Sequence, residues 1–80
     1  MKPENKLTVF FEAEAREKAL ATLREGTSGK ELVRLPAPTS TSPENVEYDG
    51  DIRIIREYRS GGPRSSGWLY RAEVGYLEAE

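Results

Sequence analysis

The chain has 80 residues and a net charge of −2, with 32% charged and 36% hydrophobic side chains, which suits one small domain over residues 1–80. It contains no cysteine and no histidine. Disulfides and thiolate metal sites are therefore excluded, and the commonest general base and metal ligand are missing. We expect a protein that is not an enzyme and that binds no metal or cofactor.

The sequence also bears on cellular location. No apolar run approaches the roughly 18 residues that a membrane-spanning helix needs. Residues 1–6 lack the apolar stretch of a signal peptide. A chain without cysteine fits a reducing compartment, so we expect a cytoplasmic protein that does not enter the membrane.

The first half of the chain predicts a strand, a helix and a second short element. Apolar side chains alternate over residues 7–12, which predicts a strand. Residues 13–25 are rich in helix formers with a narrow apolar stripe, and Gly26 is placed to cap that helix. Residues 28–35 fit either a capped helical turn or a short strand, and a strand is favoured because so short a helix is rarely stable. Three prolines and an Asp-Gly turn signal make residues 36–50 a predicted loop.

The second half predicts a hairpin, with strands at 51–59 and 67–78 around a loop at 60–66. Centring the loop gives the following pairs: Tyr58 with Trp68, Arg56 with Tyr70, Ile54 with Ala72, Arg53 with Glu73 and Ile52 with Val74. The predicted fold is α+β, a small antiparallel sheet of three or four strands with one helix packed on one face. The residues expected in the core are Leu20, Leu23, Ile52, Ile54, Trp68, Val74 and Tyr76.

Arginines and aromatic residues concentrate on this hairpin. Between residues 53 and 71 all five positive charges are arginines, and only Glu57 offsets them. Guanidinium groups bind carboxylates or phosphates and stack on rings, so arginine with tyrosine and tryptophan is typical of contact surfaces. The residues predicted to bind a partner are Arg56, Arg59, Arg64, Trp68, Tyr70 and Arg71.

These arginines are not equivalent. Arg59 and Arg64 flank the glycine-rich loop without an obvious acidic partner, which makes them the best contact candidates. Arg71 could instead pair with Glu57, as Arg53 could with Glu73, in ion pairs across a solvated face that each contribute under ~1 kcal/mol. Arg56 interrupts an apolar face, so it either extends over Tyr70 or marks an uncovered part of the sheet.

Acidic residues form a second feature. Glu47, Asp49 and Asp51 alternate before the hairpin, and an acidic turn is a better interpretation than a cation site because no EF-hand spacing follows. With Glu78 and Glu80 they could form a negative surface. Such a surface can compete for basic sites that bind nucleic acid.

Three functions fit these features, and all remain open at this point. The favoured one is a non-catalytic binding protein that occupies a surface of a protein partner. Its size and composition suit phage-type inhibitors, anti-CRISPR proteins among them. The second is a nucleic-acid-binding module using Arg59, Arg64, Trp68 and Arg71, although a pI of about 5.2 argues against it. The third is a homo-oligomer, such as a homodimer, joined through a strand edge or aromatic residues across a two-fold axis.

Overall fold

The protein folds into an antiparallel sheet with a helix packed on one face. The computed structural model describes residues 5–59 and 67–77, and within them the sheet has five strands. The elements follow in chain order: β1 Asn5–Glu12, a 3-10 helical turn Ala13–Ala15, α1 Arg16–Gly26, β2 Glu31–Val33, a 3-10 helical turn Pro43–Asn45, β3 Val46–Asp49, β4 Ile52–Arg59 and β5 Trp68–Leu77. The predicted α+β class is confirmed, with five strands in place of three or four.

β5 lies at the centre of the sheet. The strand order is β1-β5-β4-β3, and β2 also pairs with β5. Gly75 and Tyr76 pair with both β1 and β2, so β1 lies along one edge of β5 and β2 along the other, in line with β4. The last strand of the chain therefore holds together elements from both halves of the sequence.

The short element after the helix is a strand, as favoured, but it covers only Glu31–Val33. The predicted loop at 36–50 was wrong, because it contains the 3-10 turn and β3. β3 forms a hairpin with β4 in which Asp49 pairs with Ile52. Gly50 has a φ of 64°, the left-handed conformation that a two-residue hairpin loop needs at its first position.

The predicted register of β4 against β5 is confirmed over part of the hairpin. Arg53 pairs with Glu73, and Arg56 pairs with Tyr70. Tyr58, however, pairs with Leu69 instead of Trp68, because the register shifts by one residue between Arg56 and Tyr58. This is the effect of a β-bulge, in which two residues of one strand oppose one of the other.

The core lies between α1 and the sheet. Its buried members are Phe11, Ala19, Leu20, Leu23, Ile52, Ile54, Ala72 and Val74. α1 comes so close to β1 that a Cβ atom on Gly26 would lie 2.6 Å from Cδ2 of Leu7. Gly26 is the last residue of α1, so its role is this close approach and not the predicted cap beyond the helix.

The helix covers only the middle of the sheet. An α-helix of 11 residues spans about 16 Å, whereas a strand of 10 residues spans about 33 Å. Trp68 and Tyr76 lie near the two ends of β5 and are only half-buried, so the prediction that they are core residues was wrong. No helix of the described residues is long and apolar enough to cross a membrane.

Candidate binding surface

The candidate surface lies where β4 extends past β3. β3 pairs with β4 only as far as Ile55, opposite Val46. From Arg56 onward, no described strand pairs with the outer edge of β4. The side chain of Arg56 lies at this edge, on the same face of the sheet as Tyr70, which it opposes on β5.

Arg56 is held in place by one ring and two oxygens. Its guanidinium carbon lies 4.7 Å from the centroid of the Trp68 ring, a cation–π contact. Its Nε and Nη2 donate hydrogen bonds of 3.2 and 3.0 Å to Oδ1 of Asn45, and Nη2 also lies 3.3 Å from the carbonyl oxygen of Glu44. The sequence left two alternatives, that Arg56 extends over Tyr70 or that it marks an uncovered part of the sheet. In the structure its guanidinium lies over Trp68.

All of these hydrogen-bond acceptors are uncharged. No carboxylate of the described residues forms an ion pair with Arg56. These contacts hold the Arg56 guanidinium in one orientation, and because the side chain is only half-buried, part of it remains exposed to solvent. An external carboxylate could therefore add the charge-assisted hydrogen bonds that none of residues 5–59 and 67–77 supplies.

Aromatic side chains surround this guanidinium. Tyr70 stacks on Phe11 with ring centroids 5.2 Å apart and an angle of 11° between the ring planes. Phe11 belongs to the core, and Tyr70 packs against that core while remaining half-buried. Trp68 is also half-buried. The three residues Arg56, Trp68 and Tyr70 thus form one connected surface, which we call the Arg56 surface.

Two shallow cavities flank the Arg56 surface. One of about 90 Å³ is lined by Glu44, Asn45, Val46, Glu47, Ile54, Arg56 and Tyr70. The other, of about 230 Å³, is lined by Ser40, Thr41, Ser42, Asn45, Ile55, Arg56 and Glu57. Small-molecule sites usually enclose about 300–1,000 Å³, so these cavities are better suited to single side chains of a partner than to a substrate.

The other predicted contact residues lie elsewhere. Arg71 is on the opposite face of β5, where it forms ion pairs with Glu57 at 3.1 Å and Glu73 at 3.3 Å. The pairing of Arg71 with Glu57 was predicted, and it leaves this arginine engaged within the protein. Arg64 and the loop at 60–66 lie outside the described residues, as does the side chain of Arg59, so their predicted role in binding stays a prediction.

A buried ionic network occupies that opposite face, with Glu73 at its centre. The Glu73 residue is only 3% exposed. Its carboxylate accepts hydrogen bonds from Arg53 at 2.5 Å and Thr8 at 3.3 Å, and it forms an ion pair with Lys6 at 3.2 Å. Burial raises the pKa of Glu73, but the hydrogen bonds from Arg53 and Lys6 and the charge of Arg71 outweigh burial and lower that pKa below its ordinary value.

The segment that follows β2 shields this network. Arg53 donates a hydrogen bond to the carbonyl oxygen of Pro36, and the Tyr48 hydroxyl donates one to the carbonyl oxygen of Leu35. The Arg34 guanidinium lies 3.9 Å from the centroid of the Tyr48 ring. The prediction that Arg53 pairs with Glu73 is confirmed, but this pair is not solvated as predicted, because these contacts hold the segment over it. The predicted pair of Arg71 with Glu57 remains partly exposed, with side chains 30% and 28% exposed.

Two members of the predicted acidic surface, Glu47 and Asp49, are neutralised by arginines of α1. Glu47 and Asp49 belong to β3 and not to a turn, and they form ion pairs with Arg16 and Arg24 of α1. The hydrogen bond with Glu47 raises the pKa of Arg16. Glu78 and Glu80 lie outside the described residues. Among residues 5–59 and 67–77, no three acidic side chains converge on a point that could hold a metal ion.

The sequence did not reveal the role of Asn45, and it revealed only part of the role of Glu73. Asn45 orients Arg56, and its position beside β4 follows from the 3-10 turn that precedes β3. Glu73 was predicted to pair with Arg53, but its contact with Lys6 depends on the pairing of β1 with β5, which no local pattern reveals. The Asp-Gly signal before β4 was the one available indication of the missed β3 hairpin.

Comparison with known proteins does not assign the chain to a family. No family model, no curated protein and no solved structure matches it.

Proposed function

We propose that this protein is a non-catalytic binding protein that acts as an inhibitor, occupying a surface of a protein partner through the Arg56 surface. Arginine, tryptophan and tyrosine are the residue types that contribute most to protein–protein affinity. Here they are adjacent, partly exposed and held by the fold. We infer that the partner presents a carboxylate to Arg56 and apolar atoms to Trp68.

The observation that carries the proposal is the oriented charge of Arg56, which forms no ion pair with any of the described residues. The neighbouring arginines of the described network have carboxylate partners, as Arg53 does with Glu73. Arg56 instead bonds to an amide oxygen and a backbone carbonyl, and stacks on an indole ring. Preorganisation of this kind reduces the side-chain entropy lost on binding.

The size of the neighbouring cavities also supports a protein partner. Neither cavity reaches the volume of an ordinary ligand pocket, whereas a protein interface needs only shallow depressions that receive single side chains. The acidic pI of about 5.2 favours a protein partner over nucleic acid. The analogy with phage-type inhibitors, including anti-CRISPR proteins, rests on size and composition and stays a prediction.

The test begins with capture of the partner from a lysate of the organism that encodes this chain or of its host. Affinity is then measured by calorimetry for the parent, for Arg56→Ala and for Trp68→Ala. We expect each substitution to weaken binding by at least ~2 kcal/mol, about 30-fold in Kd, if these side chains are anchors. Arg24→Ala is the matched control, since Arg24 is an exposed arginine that lines neither cavity beside the Arg56 surface, and its exposed ion pair with Asp49 contributes little to stability.

Two results would count against the proposal. Unchanged affinity in both Arg56→Ala and Trp68→Ala, with folding verified by circular dichroism, would move the contact surface away from this site. Direct binding of the parent to single-stranded or duplex nucleic acid, lost between low and moderate salt, would support the nucleic-acid hypothesis instead.

A further inference from the structure

β1 has an open edge along its full length. It pairs with β5 from Asn5 to Glu12, and no other described strand pairs with it. Natural edge strands are usually kept short, or are protected by charged side chains, proline, a bulge or a covering segment. In β1 the charged side chains are confined to Lys6 and Glu12, near its two ends. β1 has eight residues, none of them proline or glycine, and its pairing with β5 shows no register shift. No described strand occupies its outer backbone groups, which could therefore pair with another strand.

The side chains along this edge are also suited to contact. Phe10 is 58% exposed, the most exposed of the large hydrophobic residues in the described part of the chain. It lies on the face of the sheet opposite α1, because it pairs with Arg71. Leu7 and Val9 lie on the helix side and pack at the margin of the core without being fully buried. Both faces of β1 thus leave apolar surface that a neighbouring strand would cover.

We propose that β1 pairs antiparallel with β1 of a second copy of this chain, about a two-fold axis that lies midway between Val9 and the partner subunit's Val9. The two sheets then join into one continuous sheet. A two-fold axis makes the contact self-complementary and closed, so two copies associate without forming a filament.

The register follows from the alternation of side chains. Opposed residues in an antiparallel pair point to the same face of the sheet. A two-fold axis perpendicular to the sheet must therefore place one residue of β1 directly opposite its own copy in the other subunit. Extensive overlap leaves Thr8 or Val9 as that residue. An axis at Thr8 places Lys6 against the partner subunit's Phe10 and leaves Glu12 unopposed.

An axis at Val9 gives better chemistry on both faces. Lys6 opposes the partner subunit's Glu12, and the symmetric pair repeats at the other end of the contact. Leu7 opposes the partner subunit's Phe11, which extends the apolar face. Phe10 opposes the partner subunit's Thr8 and becomes a diagonal neighbour of the partner subunit's Phe10. Charge complementarity thus selects this register and a second copy of the chain as the occupant.

The experiment measures mass by analytical ultracentrifugation from about 1 μM to about 1 mM, the range in which weak dimers dissociate. We expect the parent to pass from monomer to dimer. Glu12→Lys replaces two attractive pairs with two repulsive ones and should raise the dimer Kd by at least about tenfold. Glu14→Lys is the matched control, because it makes the same charge change at an exposed residue just outside β1. It should leave the Kd nearly unchanged.

A mixing experiment tests the register itself. Lys6→Glu alone places two glutamates opposite each other and should also weaken the dimer. An equimolar mixture of the Lys6→Glu and Glu12→Lys variants restores both opposite-charge pairs, so it should form a heterodimer where neither variant dimerises alone. If Lys6→Glu does not fold, because Lys6 also contacts Glu73, the comparison of Glu12→Lys with Glu14→Lys still decides.

Amide hydrogen exchange gives an independent measurement. The outward-facing amides of β1 should exchange more slowly at high than at low protein concentration, because pairing protects them. A parent that stays monomeric over the whole concentration range would overturn the proposal. A dimer that is equally weakened by Glu12→Lys and Glu14→Lys, or whose β1 amides show no protection, would also overturn it.

Discussion

The two faces of β5 are both buried, but they exclude water by different means. On one face Ala72 and Val74 are 0% and 1% exposed beneath α1, among apolar side chains. On the other face Glu73 is 3% exposed, beside Arg53 and the segment that follows β2. Neighbouring positions of one strand thus reach the same degree of burial with opposite chemistry.

This difference shows how each face depends on its neighbours. Apolar burial is non-directional. A lost contact on the face of β5 beneath α1, the helix face, therefore removes only part of a stabilisation that is shared among many contacts. A buried carboxylate needs its cations, because an unpaired buried charge carries a large desolvation cost. The stability of the protein should therefore tolerate conservative substitutions on the helix face. On the opposite face, which carries Glu73 and which we call the ionic face, removal of any single partner should lower the stability sharply.

The largest expected effect is on the ionic face. Glu73→Ala leaves Arg53, Lys6 and Arg71 without their shared carboxylate and should lower the free energy of unfolding by ~3–5 kcal/mol. Urea denaturation monitored by tryptophan fluorescence measures this loss. The double variant Arg53→Met with Glu73→Leu removes the central pair together and should be less destabilised than Glu73→Ala. If the double variant is the less stable one, the network is not governed by the cost of an unpaired charge.

A smaller or equal effect is expected on the helix face. Ile54 is 1% exposed, so truncating its side chain leaves a cavity in the core. Ile54→Ala should cost ~2–5 kcal/mol and Ile54→Val ~0.5–1.5 kcal/mol, a graded response that follows the removed volume. Repeating both measurements in 1 M salt should change neither difference by much, since no charge is involved. A loss below ~0.5 kcal/mol for Ile54→Ala would mean that Ile54 does not contribute to a packed core.

The smallest expected effect is a pH dependence confined to the ionic face. The folded state lowers the pKa of Glu73, so the unfolded chain takes up this proton first as pH falls from the ordinary value of 4.5. The contribution of Glu73 is complete above that pH and is lost as pH falls through the lower, folded-state pKa. The stability difference between the parent and Glu73→Gln should therefore shrink on acidification below about pH 4.5.

Glu17→Gln is the control for this pH dependence. Glu17 is an exposed carboxylate in the first turn of α1 and takes part in none of the ion pairs of the described residues. Its substitution removes a carboxylate without breaking any of those ion pairs, so it should change the stability little. A Glu73→Gln difference that stays constant down to pH 3 would show that the carboxylate is not stabilised by its cations in the folded state.

The sequence predicted the helix face well, because the apolar residues of that face recur at the regular spacing of a helix or a strand. The apolar stripe of α1 and the alternation along β4 and β5 placed Leu23, Ile54 and Val74 in the core correctly. Centring the hairpin loop gave the register in which Arg53 meets Glu73. It failed beyond Arg56, because a bulge inserts a residue without leaving a mark in the hydrophobic pattern.

The ionic face and the Arg56 surface could be predicted only in part, because both depend on segments that have no repeating hydrophobic pattern. Pro36 and Leu35 cover the ionic network from a coil, and Asn45 reaches Arg56 from a 3-10 turn. β3 was hidden within a proline-rich and serine-rich segment. Contacts of this kind are set by tertiary packing, so the types of residue could be identified from the sequence but not their partners.

The pairing of β1 with β5 has a consequence for synthesis of the chain. Its paired residues are between 57 positions (Glu12 to Leu69) and 71 positions (Asn5 to Tyr76) apart. Closing so long a loop is entropically costly, and the contacts that offset this cost form only once β5 has been synthesised. During translation β1 and α1 emerge first with no sheet to receive their apolar side chains. The protein must therefore complete its core in one late step, after β5 has left the ribosome, and Leu7 to Phe11 stay exposed to chaperones until then.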